Sequence, residues 1–290
     1  MKFNAILSKF LICTFAVSLI AGIPAKNVSA DAFKNVTLGG DLTQQQKDDM
    51  LKYFGVTKND ANITEVNIDE ENKYLGDVAT KSQIGTKSIS CSYVEPTDNG
   101  GLNVTTNNVY WVNANMIKNA LITAGIKNAN IKVSAPFNVS GTAALTGILK
   151  AYENSENGKK ISDNVKKAAN DELVTTGDLG QKIGKDKAAA LINDVKQEVV
   201  KEKPKDEKGV QKIVKDVTGK YNYNLSQDDI NKITDLMNKI NGLNLNYSQL
   251  KDQLNNVASK LGTVLKSDQA KGFFAKLFDS IQSFFSSIFK

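Results

Sequence analysis

The chain has 37 basic residues, every one a lysine, 31 acidic residues and no histidine, so carboxylates are the residues best placed to do chemistry. Without imidazole there is no Ser-His or Cys-His nucleophile pair, no His-ligated zinc and no imidazole base near neutral pH. Without guanidinium there is no bidentate clamp on phosphate and no arginine finger. Paired acids remain, because glycoside hydrolysis needs only two carboxyl groups placed across a bond. Three groups qualify by closeness in sequence: Asp69-Glu70-Glu71, Glu95 with Asp98, and Asp171-Glu172 with Asp178. Spacing alone puts none of them in a shared cleft, and acids in such runs are expected as solvated surface groups.

Other polar motifs are weaker still. The Asp/Asn stretch from Asp60 to Asn72 lacks the ligand periodicity of a calcium loop. Ser140-Gly-Thr142 follows a strand and opens a helix, where free N–H groups can receive an anion. It lacks the lysine of a P-loop, so ordinary N-capping is the expectation. In Ser88-Ile-Ser-Cys-Ser-Tyr93 the apolar residues alternate with serine, which places Cys91 on the apolar face of a strand as a buried thiol. No cofactor and no metal site is expected.

The elements that must hold these residues change character along the chain. Thr43-x-x-Gln46 reads as a capping box for a helix over about 43–54, with Met50, Leu51 and Phe54 on one face and Gly55 as its stop. Residues 63–68 have strand character. Strands at about 87–95 and 102–112 flank the turn signal Pro96-Thr-Asp-Asn-Gly-Gly101, which predicts a hairpin. A helix through Met116, Ile117, Ala120, Leu121 and Ala124 follows, then a strand through Ile131 and Val133, then a helix from Ser140. The predicted class is α+β, a hairpin-helix-strand-helix layer with helices on one sheet face, followed by a helical C-terminal half.

In that half, helical segments fall at about 162–171 and 186–203. The run Lys201-Glu-Lys-Pro-Lys-Asp-Glu-Lys208 reads as a hinge or exposed turn, because neighbouring charges cancel. Ser226 caps a helix with a seam of Ile230, Ile233, Met237 and Ile240. Tyr247, Leu250, Leu254, Val257, Leu261 and Val264 form a second seam, and the two helices are predicted to pair as an antiparallel hairpin over 226–266.

Both ends carry distinct signals. Lys2 and Lys9 precede an uncharged apolar run from Phe10 to Ile23, and Val28-Ser-Ala30 supplies small residues at a cleavage site, the pattern of a secretory signal peptide. Cys13 lies inside that run after Ile12, so lipidation is not expected. Cleavage after Ala30 removes Lys2, Lys9 and Lys26 and lowers the net charge from +6 to +3, a weak attraction to anionic surfaces that is no argument for nucleic-acid binding. At the other end Phe273, Phe274, Leu277, Phe278, Ile281, Phe284, Phe285, Ile288 and Phe289 fall within roughly 160° at about 100° per residue. Six of the chain's 12 phenylalanines lie here. Such a face demands burial, against its own domain, a membrane surface or a partner.

The expected organisation is a cleaved signal peptide (1–30), an α+β region (31–155), a helical region (156–268) and an amphipathic tail helix (270–290). Several phrases carry a family resemblance together: Val36-Thr-Leu-Gly-Gly-Asp-Leu-Thr43, Met50-Leu-Lys-Tyr-Phe-Gly-Val56, Tyr93-Val-Glu-Pro96, Ala135-Pro-Phe-Asn-Val-Ser-Gly-Thr-Ala-Ala-Leu-Thr-Gly147, Glu172-Leu-Val-Thr-Thr-Gly-Asp-Leu-Gly180 and Ile233-Thr-Asp-Leu-Met237. Over most of 35–265 the chain resembles the YpuA-like family of exported Gram-positive proteins, catalogued as domain of unknown function 1002. The resemblance implies export and carries no reaction, ligand or catalytic residue. The reading is therefore a secreted, extracellular protein of the cell envelope, on the outer membrane face or in the wall. It binds a membrane surface or an envelope protein through its tail and is non-enzymatic. The alternative is a carboxylate-dependent hydrolase of envelope glycans or peptides, which a cleft uniting two acids such as Glu95 and Asp178 would favour.

Overall fold

A computed structural model describes residues 34–156 and 158–266. The first helix forms where the capping box requires it. In α1 (Gln44–Phe54) the Thr43 hydroxyl accepts from the Gln46 amide, the Gln46 side chain returns to the Thr43 amide, and Gly55 closes the helix at φ 73°. Only a residue without Cβ takes that left-handed stop at no steric cost. The helix joins β1 (Lys34–Gly39) to β2 (Ala61–Val66), which lie side by side and parallel. Two short helices, α2 (Ile68–Leu75) and α3 (Lys81–Ile84), precede β3 (Cys91–Pro96). A second strand-helix-strand unit follows, β4 (Leu102–Val109), α4 (Ala114–Thr123) and β5 (Ala129–Val139), again with parallel strands.

The α+β class stands, but the predicted hairpin does not form. The sheet order is β2-β1-β3-β5-β4, with β5 lying between β3 and β4. The turn signal at 96–101 is used differently from a tight hairpin. Gly100 and Gly101 adopt φ 93° and 72°, and Asn128, leading into β5, sits in the turn. Its side chain takes the Gly101 amide at 2.9 Å and donates to the Asp98 carbonyl at 3.1 Å. The Thr97 amide reaches the Asn128 carbonyl, and the Ala129 amide reaches the Gly101 carbonyl. β5 thus takes the ladder bonds the two strands would have given each other.

Helices cover both faces of the sheet, not one as predicted. The cross-strand row Val94, Ile131, Val104 faces the large core with Ile117 and Leu121 of α4 and Ile148 of α5 (Ala143–Glu153). The next row turns Val36 and Tyr93 to the opposite face, where α1 buries them with Met50, Leu51, Phe54 and Cys91. Cys91 is 1% exposed, and burial pushes its thiol up to about 12. With Cys13→Ser removing the other thiol, the folded protein is expected to resist iodoacetamide at pH 8 and to react fully in urea. Rapid modification without denaturant would contradict this burial.

The helical half is organised around α7. The helices are α6 (Asp163–Ile183), α7 (Lys185–Glu202), α8 (Glu207–Thr218), α9 (Gln227–Gly242) and α10 (Tyr247–Lys266). Ala188 to Asn193 are all buried, the pattern of a helix enclosed on nearly every side. This explains why α9 and α10 do not pair as the predicted hairpin. The seam of α9 packs against α8, α6 and α7, and that of α10 against α7 and α4. The side chain of Val264 lies outside the described residues. The charge run at 201–208 contains a turn, with Lys203 at φ 47°, but its end already belongs to α8.

Candidate functional site

The sequence-predicted acids are positioned by different elements and do not converge. Glu95 on β3 accepts from the Asn130 side chain at 3.1 Å, near the start of β5. Asp178 on α6 accepts from the Gln83 side chain. The Gln83 carbonyl in turn receives the Ser140 hydroxyl at 3.3 Å, just beyond the end of β5. Ten residues of strand at about 3.3 Å each put these two points on the order of 30 Å apart. Asp98 is exposed in the turn, and Asp69 is exposed on α2.

On α6 the three acids point to two sides. Asp171 and Asp178 are seven residues apart and share a face, where Asp171 pairs with Lys239 of α9 and accepts from Thr175 at 3.2 Å. Asp178 lines a cavity of about 220 Å³ with Asp229, Lys182 and Lys232. Burial raises the Asp178 carboxyl. Burial also opposes ionisation of Asp229, but Lys182 and the Ser226 hydroxyl and amide outweigh it and hold the carboxyl below its ordinary value. Both Asp229 oxygens are engaged, one by Lys182 and the other by the Ser226 cap. The cavity therefore offers no pair of free carboxyl groups to span a bond.

Glu172 and Glu71 overturn the expectation of solvated acids. Glu172 is 0% exposed and pairs at 2.7 Å with Lys196 of α7, also 0% exposed. The Lys196 ammonium also donates to the Asn119 carbonyl at 2.8 Å and the Thr123 hydroxyl at 3.1 Å. That hydroxyl donates back to the second Glu172 oxygen, so all three ammonium protons and both carboxylate oxygens have partners. Glu71 is 1% exposed, and neither of its oxygens has a hydrogen-bond partner among the described residues. Burial pushes it up to about 7; Asp41 and Glu70 act in the same direction, and the nearby Ser88 hydroxyl opposes them. A carboxyl in that setting is stored largely protonated below neutral pH.

Ser140-Gly-Thr142 is not the helix cap expected from its sequence. Thr142 makes no side-chain cap bond to α5; its hydroxyl, like that of Ser140, reaches the Gln83 carbonyl. Gly141 takes φ 86°, and a Cβ there would meet Val109 and Val112 at 2.9 Å. On α6 a Cβ at Gly177 would come within 2.3 Å of the Trp111 ring, and the Trp111 amide reaches the Ser140 carbonyl. The sequence phrases 135–147 and 172–180 therefore meet around one junction of Trp111, Ser140, Gln83 and Asp178. Their small residues are needed for close approach. Among the described residues no group of three or more Cys, Asp or Glu is placed to hold a metal ion. The apolar tail residues Phe273, Phe274, Leu277, Phe278, Ile281, Phe284, Phe285, Ile288 and Phe289 lie outside the described residues, as do 1–33.

The five-stranded mixed sheet with a helical body defines an α+β protein, with one fully buried ion pair, Glu172–Lys196, between its helices. The family model described as protein of unknown function (DUF1002) matches residues 38–257, and the chain belongs to that family. It is 42% identical over 255 residues to the uncharacterized protein YpuA of Bacillus subtilis (strain 168), an alignment covering 87% of each chain. No solved structure matches.

Proposed function

We propose that the protein is exported and acts at the cell envelope as a non-enzymatic binding protein, held to a membrane surface or an envelope partner by its C-terminal segment. The observation that carries this reading is the stripe of nine large apolar residues from Phe273 to Phe289, more apolar surface than a soluble chain leaves in water. The basic and apolar start of the chain supports export. The engagement of Glu172, Asp171 and Asp229 in internal ion pairs supports binding over hydrolysis. Among the described residues no helix is long and apolar enough to cross a membrane.

Fractionating intact cells that express the full chain or a chain lacking 271–290 tests this. The full chain is expected in the membrane or wall fraction and the truncated chain in the medium. Finding both free in the medium would remove the proposal.

A further inference from the structure

A cavity of about 240 Å³ opens between α2, α5 and the start of α6. Three lysines line it: Lys150 of α5, Lys160 from the preceding loop and Lys166 of α6. Two acids share its wall, and each is already committed. Glu70 caps α2 through the Asn67 amide at 3.2 Å and takes the Lys150 ammonium at 2.6 Å. Glu153 accepts the Ile161 amide at 2.8 Å and pairs with Lys166 at 2.6 Å. These acids offset Lys150 and Lys166. Lys160 has no carboxylate partner among the described residues, so the wall carries one net positive charge.

Donors are in excess as well. Lys150 uses two of its three N–H groups, on Glu70 and the Glu65 carbonyl. Lys166 gives one to Glu153 and lies 5.5 Å from the centre of the Tyr74 ring. An ammonium has donors and no acceptor. On the remaining wall Thr146 is 4% exposed, and its hydroxyl has no hydrogen-bond partner among the described residues. Leu149 and the Tyr74 ring add apolar surface beside the charges. At about 30 Å³ per water, the volume corresponds to roughly eight waters, more than a bare phosphate or carboxylate fills.

We propose that this cavity binds a small organic anion through a single oxyanion group, a carboxylate or a phosphate, held by Lys160 with the spare N–H groups of Lys150 and Lys166. Charge-assisted bonds from lysine suit such a group, since the ammonium acts as a point charge without demanding a planar partner. The site lies apart from the tail and from the α6 acids Asp171, Glu172 and Asp178, and it stands whether or not the protein is exported.

The test uses the full chain and two probes, sodium phosphate and sodium acetate, titrated separately at constant ionic strength against sodium chloride and read by thermal unfolding and calorimetry. Saturable stabilisation beyond chloride is expected from at least one probe. Phosphate alone identifies a phosphate ligand, acetate alone a carboxylate ligand, and both the shared oxyanion chemistry. Lys160→Gln, at an exposed position that should not disturb folding, is expected to weaken binding about tenfold or more. Lys208→Gln, in the exposed charge run, should leave it unchanged. The proposal is overturned by an absence of saturable effect beyond chloride, by undiminished binding in Lys160→Gln, or by an equal loss in Lys208→Gln.

Discussion

Replacing Lys196 with methionine is expected to destabilise the protein by about 3–5 kcal/mol, the cost of leaving a buried carboxylate without its counter-charge. Lys196 and Glu172 sit between α4, α6 and α7 with 0% exposure on either side, so water cannot replace the missing partner. The Thr123 hydroxyl would remain as a donor to Glu172, but one neutral donor does not offset a charge removed from water. The double variant Lys196→Met with Glu172→Leu removes both charges and is expected to recover most of the loss, because well-packed apolar substitutes often match a buried pair. Urea denaturation of the two single variants and the double gives the coupling energy directly. Additive losses would show that the pair does not act as a unit.

The second large effect is a pH dependence traced to Glu71. Its carboxyl titrates near 4.5 in an unfolded chain and at about 7 in the fold, so between those values the native state binds more protons than the unfolded state. Stability must then fall as pH rises from about 4.5 to about 7 and level off above that, with a contribution of about 3 kcal/mol at 1.36 kcal/mol per unit. The groups around it set the sign. Burial dominates, Asp41 and Glu70 repel the charged form, and the Ser88 hydroxyl only moderates this. Glu71→Gln should abolish this slope and stabilise the protein at pH 8 by up to about 3 kcal/mol. The readout is the difference between variant and wild-type stability across pH 4–8, which cancels the other titrating groups. A flat difference would mean that Glu71 is not stored in its neutral form.

The expectation of solvated acids misses Glu172 and Glu71, and Lys196 is not singled out, although all three positions carry a local signal of burial. Glu172 follows Ala168 and Ala169 and precedes Leu173 and Thr176 on one helical face. Lys196 lies between Ile192 and Val199–Val200, and Glu71 between Ile68 and Leu75. A charge on an apolar stripe must find a partner or lose its charge, so periodicity alone marks all three positions. What periodicity does not show is that Glu172 meets Lys196, 24 positions away, while Glu71 meets no cation. The α+β class, the α1 capping box and the burial of Cys91 were equally local and equally legible. Strand order was not, because β3 and β4 present a good turn whether or not another strand enters between them. The partners of α9 and α10 were hidden for the same reason. A seam of Ile233, Met237 and Ile240 states that a surface will be buried, and the enclosing role of α7 depends on the whole helical body. α8 was masked by composition, since a charged run reads as solvated even where Val210, Val214 and Val217 line one buried side.

The place of β5 sets an order of events during folding. Among the described residues β4 has β5 as its only neighbour in the sheet, and β3 has only β1 until β5 arrives. The turn at 96–101 favours a quick encounter of β3 with β4, on the microsecond scale of hairpins, yet that pairing is foreign to the finished sheet. If it forms, it must open before residues 129–139 can enter, and the turn would then act as a brake on assembly. Closure of the sheet waits until synthesis has passed residue 139, and an interruption before that point leaves two strand edges open to other chains.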